Sequence, residues 1–235
     1  MIDLHCHILP GVDDGPASLE QSLAMAEIAE ADGITTIVAT PHVQGIAPTS
    51  SQIGEACLEL NQALKARGAK LEILAGAEVY ALANPAGLED RTINSTRYIL
   101  VEFPLSHLPV EAGKILFNLV VHGFRPIIAH PERIPTIIGN PKLITSLLNG
   151  QVMLQLTGAS LTGRFGEGPK KCGAYLLKQG LVHFLASDGH SANFRRPLLM
   201  EGVQAAAHLI GREGAERLVY ANPQAVLAGQ DITDG

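Results

Sequence analysis

The chain has 235 residues, a formal net charge of −6 and a hydrophobic fraction of 46%. That length exceeds a typical small domain but suits a single α/β barrel. The acidic balance, with no Lys or Arg run interleaved with aromatics, excludes a nucleic-acid-binding surface, and no apolar run reaches the ~18–20 residues of a membrane span.

In chain order, a first apolar strand is expected over residues 2–7. A helix over 18–32 follows, with Ser18 as N-cap, Gln21 at the third helical position and Gly33 just past its end. A second strand (34–40), a helix (51–66) ending near Gly68, and two strands (71–78 and 98–103) come next. Helix 109–122 stops at Gly123 before strand 125–130, and helix 141–149 stops at Gly150 before strand 152–156. Helix 170–179 stops at Gly180 before strand 182–187, and a helical tail covers 197–210, 213–220 and 222–229. The strands are near-continuous in Val, Ile, Leu and Ala, as in parallel strands covered on both faces. The recurring order of helix, Gly and strand is the loop chemistry of a parallel sheet. About seven βα units with no linker and no repeat make one closed or nearly closed barrel the economical reading. An open doubly wound sheet is the alternative, weakened because no Gly-rich phosphate loop follows the first strand.

Eight polar residues fall in a pattern on this map. His5 and His7 close the first strand, His42 follows the second, and Glu78 ends the third. Glu102 lies near the end of the fourth, His130 ends the fifth, and Asp188 and His190 follow the seventh. All sit at carboxyl ends of strands, the face on which α/β barrels carry their active sites. In His5-Cys6-His7 the period of two puts both imidazoles on one face. Glu78 and Glu102 are carboxylates in apolar strands, and burial without a partner would be costly. About five His and four Asp/Glu exceed the needs of one ion and point to a cluster of two or three metals. Asp13 and Asp14, in Gly-Val-Asp-Asp-Gly-Pro, read equally well as turn residues. His107, His122, His183 and His208 fall outside the pattern and are expected not to ligate.

Arg133 follows His130 by three residues at the same mouth, and Arg195 and Arg196 follow His190. A guanidinium grips phosphate through two parallel N–H donors, so these arginines are the catalytic candidates; a salt bridge to Glu132 is the competing role for Arg133.

The segments His5-x-His7, Asp13-Asp14-Gly15-Pro16, Thr40-Pro41-His42, Gly76-Ala77-Glu78, Val101-Glu102-Phe103, Ala129-His130-Pro131-Glu132-Arg133 and Ser187-Asp188-Gly189-His190 resemble the PHP (polymerase and histidinol phosphatase) superfamily. Within it the chain resembles the bacterial manganese-dependent protein-tyrosine phosphatases linked to capsular and exopolysaccharide synthesis. The resemblance implies a distorted (β/α)7 TIM-like barrel, a single PHP-type domain over residues 1–235, and three divalent ions, Mn2+ by family with Fe, Zn or Mg also compatible. It assigns His5, His7, Glu78 and Asp188 to one ion, Glu78, Glu102 and His130 to a second, and Asp14, His42 and His190 to the third. It makes Arg133 a phosphate-binding residue and leaves the second such residue between Arg195 and Arg196.

The implied activity is hydrolysis of phosphotyrosine on a protein, by in-line attack of a metal-bound hydroxide. The implied partner is the tail of a bacterial tyrosine kinase. A small-molecule phosphatase of the same superfamily, for histidinol phosphate or a nucleotide, is the alternative enzyme, and a non-catalytic metal-binding regulatory domain the alternative of another class. A cysteine-dependent phosphatase needs Cys followed six positions later by Arg, but Cys6, Cys57 and Cys172 are followed there by Val12, Ala63 and Lys178. The scattered, odd-numbered cysteines and an N-terminal sequence without signal-peptide character are those expected of a cytoplasmic protein that is not integral to a membrane.

Overall fold

The computed structural model describes residues 1–44, 47–148 and 150–232. Its strands are β1 (Ile2–Cys6), β2 (Thr36–Ala39), β3 (His42–Val43), β4 (Glu72–Ala75), β5 (Glu78–Tyr80), β6 (Tyr98–Glu102), β7 (Arg125–Ala129), β8 (Met153–Thr157) and β9 (Phe184–Ala186). The α-helices are α1 (Leu19–Ala31), α2 (Ser50–Ala66), α3 (Ala112–Val121), α4 (Pro135–Gly139), α5 (Gly158–Leu161), α6 (Glu167–Lys178), α7 (Met200–Ile210), α8 (Arg212–Arg217) and α9 (Ala221–Leu227).

All strand pairs are parallel. One sheet runs β1-β2-β4 and the other β3-β5-β6-β7-β8-β9. The ring is drawn together between β9 and β1, where a parallel bridge joins Cys6 to Gly189. There Asp188 N–H donates to His5 O at 2.9 Å, and His7 N–H to Gly189 O at 2.8 Å. The result is a distorted (β/α)7-type barrel in one domain.

The expected second strand is followed by a separate short strand, and the expected third breaks in two. Pro41 has no N–H to donate, so β2 stops at Ala39 and β3 resumes at His42. The matching break between β4 and β5 centres on Gly76, where a Cβ would lie 2.6 Å from Val38 Cγ1. Glu78 therefore opens β5 instead of ending a continuous strand, and pairs in register with His42.

Two apolar clusters flank the ring. Ile2, Leu4, Val38, Tyr98, Leu100, Ile127, Ala129, Met153 and Phe184 fill its inside, with Ile93 and Val226 closing the end away from the site. A larger cluster joins the outer strand faces to the helices. Helix caps follow the sequence: Ser18 Oγ accepts from Gln21 N, and Thr49 with Gln52 forms a reciprocal capping box for α2. The helix expected over 141–149 is a 3-10 helix, Pro141–Leu147, and its last expected residue, Asn149, lies outside the described residues. The short helices α4 and α5 were not expected. Among the described residues no helix is long and apolar enough to cross a membrane.

Candidate metal centre

A register shift between Asp3 and Cys6 bends β1. Ile2 and Leu4 join the inner cluster while Cys6 joins the outer one, so this irregularity switches faces and turns His5 and His7 into the ring. Their Nε2 atoms lie 3.1 Å apart. Glu102 shares the inner face of β6 with Tyr98 and Leu100. His130 and Asp188, the residues just after β7 and near β9, have φ of 33° and 52°. Non-glycine residues in that region are strained, and such strain gathers at functional sites.

Glu78 lies at the centre. Its Oε2 is 3.3 Å from both His5 Nε2 and His7 Nε2, and 3.1 Å from His42 Nδ1. Its Oε1 is 3.0 Å from His130 Nε2. Asp188 Oδ1 stands 3.5 Å from His5 Nε2, 3.7 Å from His7 Nε2 and 3.6 Å from His190 Nδ1. Glu102 reaches to 3.7 Å from His42 Nδ1 and 3.8 Å from His130 Nε2. Asp14, 63% exposed, leans over the mouth with Oδ1 3.4 Å from His190 Nε2 and 3.6 Å from His42 Nε2.

All nine residues thus fall in groups whose donor atoms could share an ion: His7, Asp14, His42 and His190; His5, Glu78 and His130; His5, His7 and Asp188; His42, Glu78 and Glu102. The groups overlap and do not reproduce the three-way division that the resemblance implies. His7 joins the Asp14 group, and Glu102 stands with His42 and Glu78.

The surroundings hold the imidazoles in the form a metal needs. His5 Nδ1 pairs with Gln155 Oε1 at 2.9 Å, His7 Nδ1 with Asp13 Oδ2 at 2.7 Å, and His190 Nδ1 with Asp188 O at 3.0 Å. With Nδ1–H donating, Nε2 is the nitrogen each ring turns to the cluster, free to ligate once an ion displaces any proton there. Neither Gln155 nor the supporting role of Asp13 was expected. Gln155 shares a strand face with Met153, but that is visible only once β8 is in place. Asp3 was also missed: buried, it accepts from Ser187 N at 3.0 Å and from Ser187 Oγ, tying β1 to the end of β9. Burial pushes its carboxyl up to about 6, against the pull of those hydrogen bonds.

Two buried atoms at the cluster fit a cation: Glu78 Oε2 and His190 Nε2 have no hydrogen-bond partner. An oxygen surrounded at close range by three ring nitrogens, with no well-formed hydrogen bond, suits a shared positive ion. The protonation pattern agrees. Desolvation alone would lower the His7 pKa, but Asp13, Glu78 and Asp188 raise it to about 10. Desolvation likewise opposes ionisation of Glu78, yet the charge of His5 and the close approach of His130 and His42 hold it well below the usual carboxylate range. Protons on the rings balance the carboxylates, a task divalent ions take over on binding. His190 is pushed down to about 3 by burial and by His7, so it stands neutral, as a ligand must.

Arg133 Nη1 and Arg195 Nη2 both donate to Asp188 Oδ2, at 2.5 and 2.6 Å. Asp188 therefore divides the site, imidazoles on one carboxylate oxygen and guanidiniums on the other. The Arg133 guanidinium lies 4.5 Å over the Phe165 ring. Glu132, the competing partner, turns away and accepts instead from Thr157 N and Ser160 Oγ. Arg196 is exposed, and among the described residues it is Arg133 and Arg195 that pair with Asp188. His107, His122 and His208 are exposed and outside the cluster, and His183 sits on the β8 side of the opposite end, near Leu154 N. Cys6, Cys57 and Cys172 are free and buried.

Residues 1–228 match the family model for capsular polysaccharide synthesis, CpsB/CapC. The chain is 36% identical to the tyrosine-protein phosphatase YwqE of Bacillus subtilis, covering 99% of this chain and 93% of that protein. It is 34% identical to the tyrosine-protein phosphatase CpsB of Streptococcus pneumoniae, covering 99% of this chain and 100% of that protein. A crystal structure from work on YwqE and CpsB, described as unique metal-dependent tyrosine phosphatases, superposes with a TM-score of 0.92 at 34% identity, covering 99% and 96% of the two chains. With a match along almost its whole length, the chain belongs to the CpsB/CapC family of capsular polysaccharide synthesis proteins.

Proposed function

We propose that residues 1–235 form one PHP-type metal-dependent phosphatase domain that removes phosphate from phosphotyrosine on a protein. The observation that carries this reading is the placement of two arginines on one oxygen of Asp188 and of three imidazoles of the donor cluster, His5, His7 and His190, on the other. The relatives named as tyrosine-protein phosphatases support the substrate class.

His5, His7, Asp14, His42, Glu78, Glu102, His130, Asp188 and His190 would hold the ions, with manganese as the proposed metal. Divalent ions there supply Lewis-acid charge to phosphoryl oxygens and lower the pKa of water toward neutrality. The chain contributes the rest. Arg133 and Arg195 meet the charge spread over the equatorial phosphoryl oxygens. Each spends only part of its five N–H donors on Asp188, leaving donors for phosphate. Of the two neighbouring candidates Arg195 is the better placed, and Arg196 serves the rim. Gln155 and Asp13 keep the His5 and His7 rings in the ligating tautomer. The proposed partner is the tail of a bacterial tyrosine kinase acting in capsule synthesis, and the proposed location is the cytoplasm.

The test is turnover of a phosphotyrosine peptide by the purified protein. Chelation should abolish it and Mn2+ should restore it. Undiminished turnover in a His5→Ala, Arg133→Ala double variant would sink the proposal. Faster turnover of phosphorylated metabolites than of any peptide would overturn the substrate class.

A further inference from the structure

Beside Asp188 lies a cavity of about 170 Å³. Phe165, Phe194, Ala159 and Leu198 supply apolar walls, Arg195 and Arg196 cationic ones, and the Arg164–Glu201 ion pair a further charged wall. Asp188, the carboxylate on which Arg133 and Arg195 converge, is among its lining residues.

Phe194 is unusual here. It is 92% exposed, against 60% for Phe117 on α3, whereas Phe103, Phe124 and Phe184 are buried in the core. Folding has no use for a phenyl ring in that position, and it is not the tip of a loose loop. Arg195 O accepts from both His190 N at 2.7 Å and Ser191 N at 3.0 Å, and Ser191 Oγ accepts from Phe194 N at 3.1 Å. This closed turn fixes Phe194 at the cavity while it aims Arg195 at Asp188. On the other wall the Phe165 ring has one face taken by Arg133.

The size agrees with one ring. A buried space of ~150 Å³ holds benzene. The cavity is therefore large enough for a single phenyl group, placed one bond from a phosphate held by the arginines.

We infer that this cavity is the subsite for the aromatic ring of an aryl phosphate, with Phe165 and Phe194 as its walls and the phosphate directed to Arg133 and Arg195. This rests on the phosphatase reading and adds to it the residues that select tyrosine. A phosphoserine side chain would leave the walls uncovered, since its phosphate is joined to the backbone by a single methylene.

The test measures binding of two phosphonates to the metal-loaded protein by calorimetry. Phenylphosphonate carries the ring and methylphosphonate does not. In Phe194→Ala the preference for phenylphosphonate over methylphosphonate should fall about tenfold, as for loss of an aromatic pair with its buried area. Phe194→Tyr should restore the preference. The exposure of Phe194 makes its removal harmless to folding, and an unchanged melting temperature checks this. An equal loss for both ligands, or no loss, overturns the inference and leaves the phosphatase reading intact. If neither phosphonate binds a wild-type protein that also fails to hydrolyse phosphotyrosine, the phosphatase reading falls, and this inference with it.

Discussion

At the scale of single residues, the candidate site depends on side chains turned against the simple alternation of their strands. Ile127 and Ala129 face the ring interior, so strict alternation would send His130 outward; its left-handed backbone brings it back to Glu78. Support by neighbours is equally specific. Gln155→Leu should leave the His5 tautomer unfixed and weaken metal affinity by roughly 10- to 100-fold, measured by titration of the metal-free protein. An unaltered affinity would remove Gln155 from the supporting set. Arg133→Ala should reduce kcat/KM by roughly 10²- to 10³-fold while the metal content of the protein stays at the wild-type level. Loss of metal along with activity would instead make Arg133 a structural partner of Asp188. The thiols make a third case. Burial pushes both Cys57 and Cys172 up to about 12, so at pH 8 the reactive thiolate is scarce. Activity should survive incubation of the folded protein with N-ethylmaleimide; rapid inactivation would revive a role for cysteine.

At the scale of elements, long-range contacts hold the loop that carries Arg195 and Phe194. Helix α7 lacks a cap in its own sequence, because Leu199 occupies that position. Asp32, at the end of α1, fills the gap: its Oδ2 accepts from Leu199 N at 2.6 Å and from Met200 N at 2.9 Å. Asp32→Ala should cost about 1–2 kcal/mol, as for loss of an N-cap, read from the urea midpoint. A change within ~0.5 kcal/mol, the range of ordinary surface substitutions, would show the cap to be dispensable. Helices α5 and α7 touch where a Cβ on Gly202 would lie 2.6 Å from Gly158 Cα. That close approach forms the floor of the cavity beside Asp188.

At the scale of the whole molecule, ring closure and the proposed metal centre are coupled. The β9–β1 junction runs through His5, His7, Asp188 and Gly189, the same segment that carries half of the donor groups around Glu78. Ions bound there would stabilise the fold by about 2.7 kcal/mol at a concentration 100 times their dissociation constant. Chelation should therefore lower the melting temperature as well as activity, and Mn2+ should restore both. A melting temperature indifferent to chelator would separate the centre from the fold.

Much of this protein was legible in the chain. Apolar strands, the helix-Gly-strand order and the position of eight polar residues at strand ends specify a parallel ring and the end that carries chemistry, because local periodicity and turn chemistry act over a few residues; Asp14, in the loop after the first strand, came only from the family resemblance. Identity of the donor groups was also visible, since His and carboxylates in apolar strands have few other uses. What only the tertiary structure decided depends on distant partners. The breaks at Pro41 and Gly76 move His42 and Glu78 into a second sheet. The bulge in β1 chooses the face of His5 and His7. Gln155 meets His5 across 150 residues of sequence, and Arg195 is separated from Arg196 by the turn that ends on Asp188. Such choices follow from packing and register between strands remote in the chain, which no local pattern records.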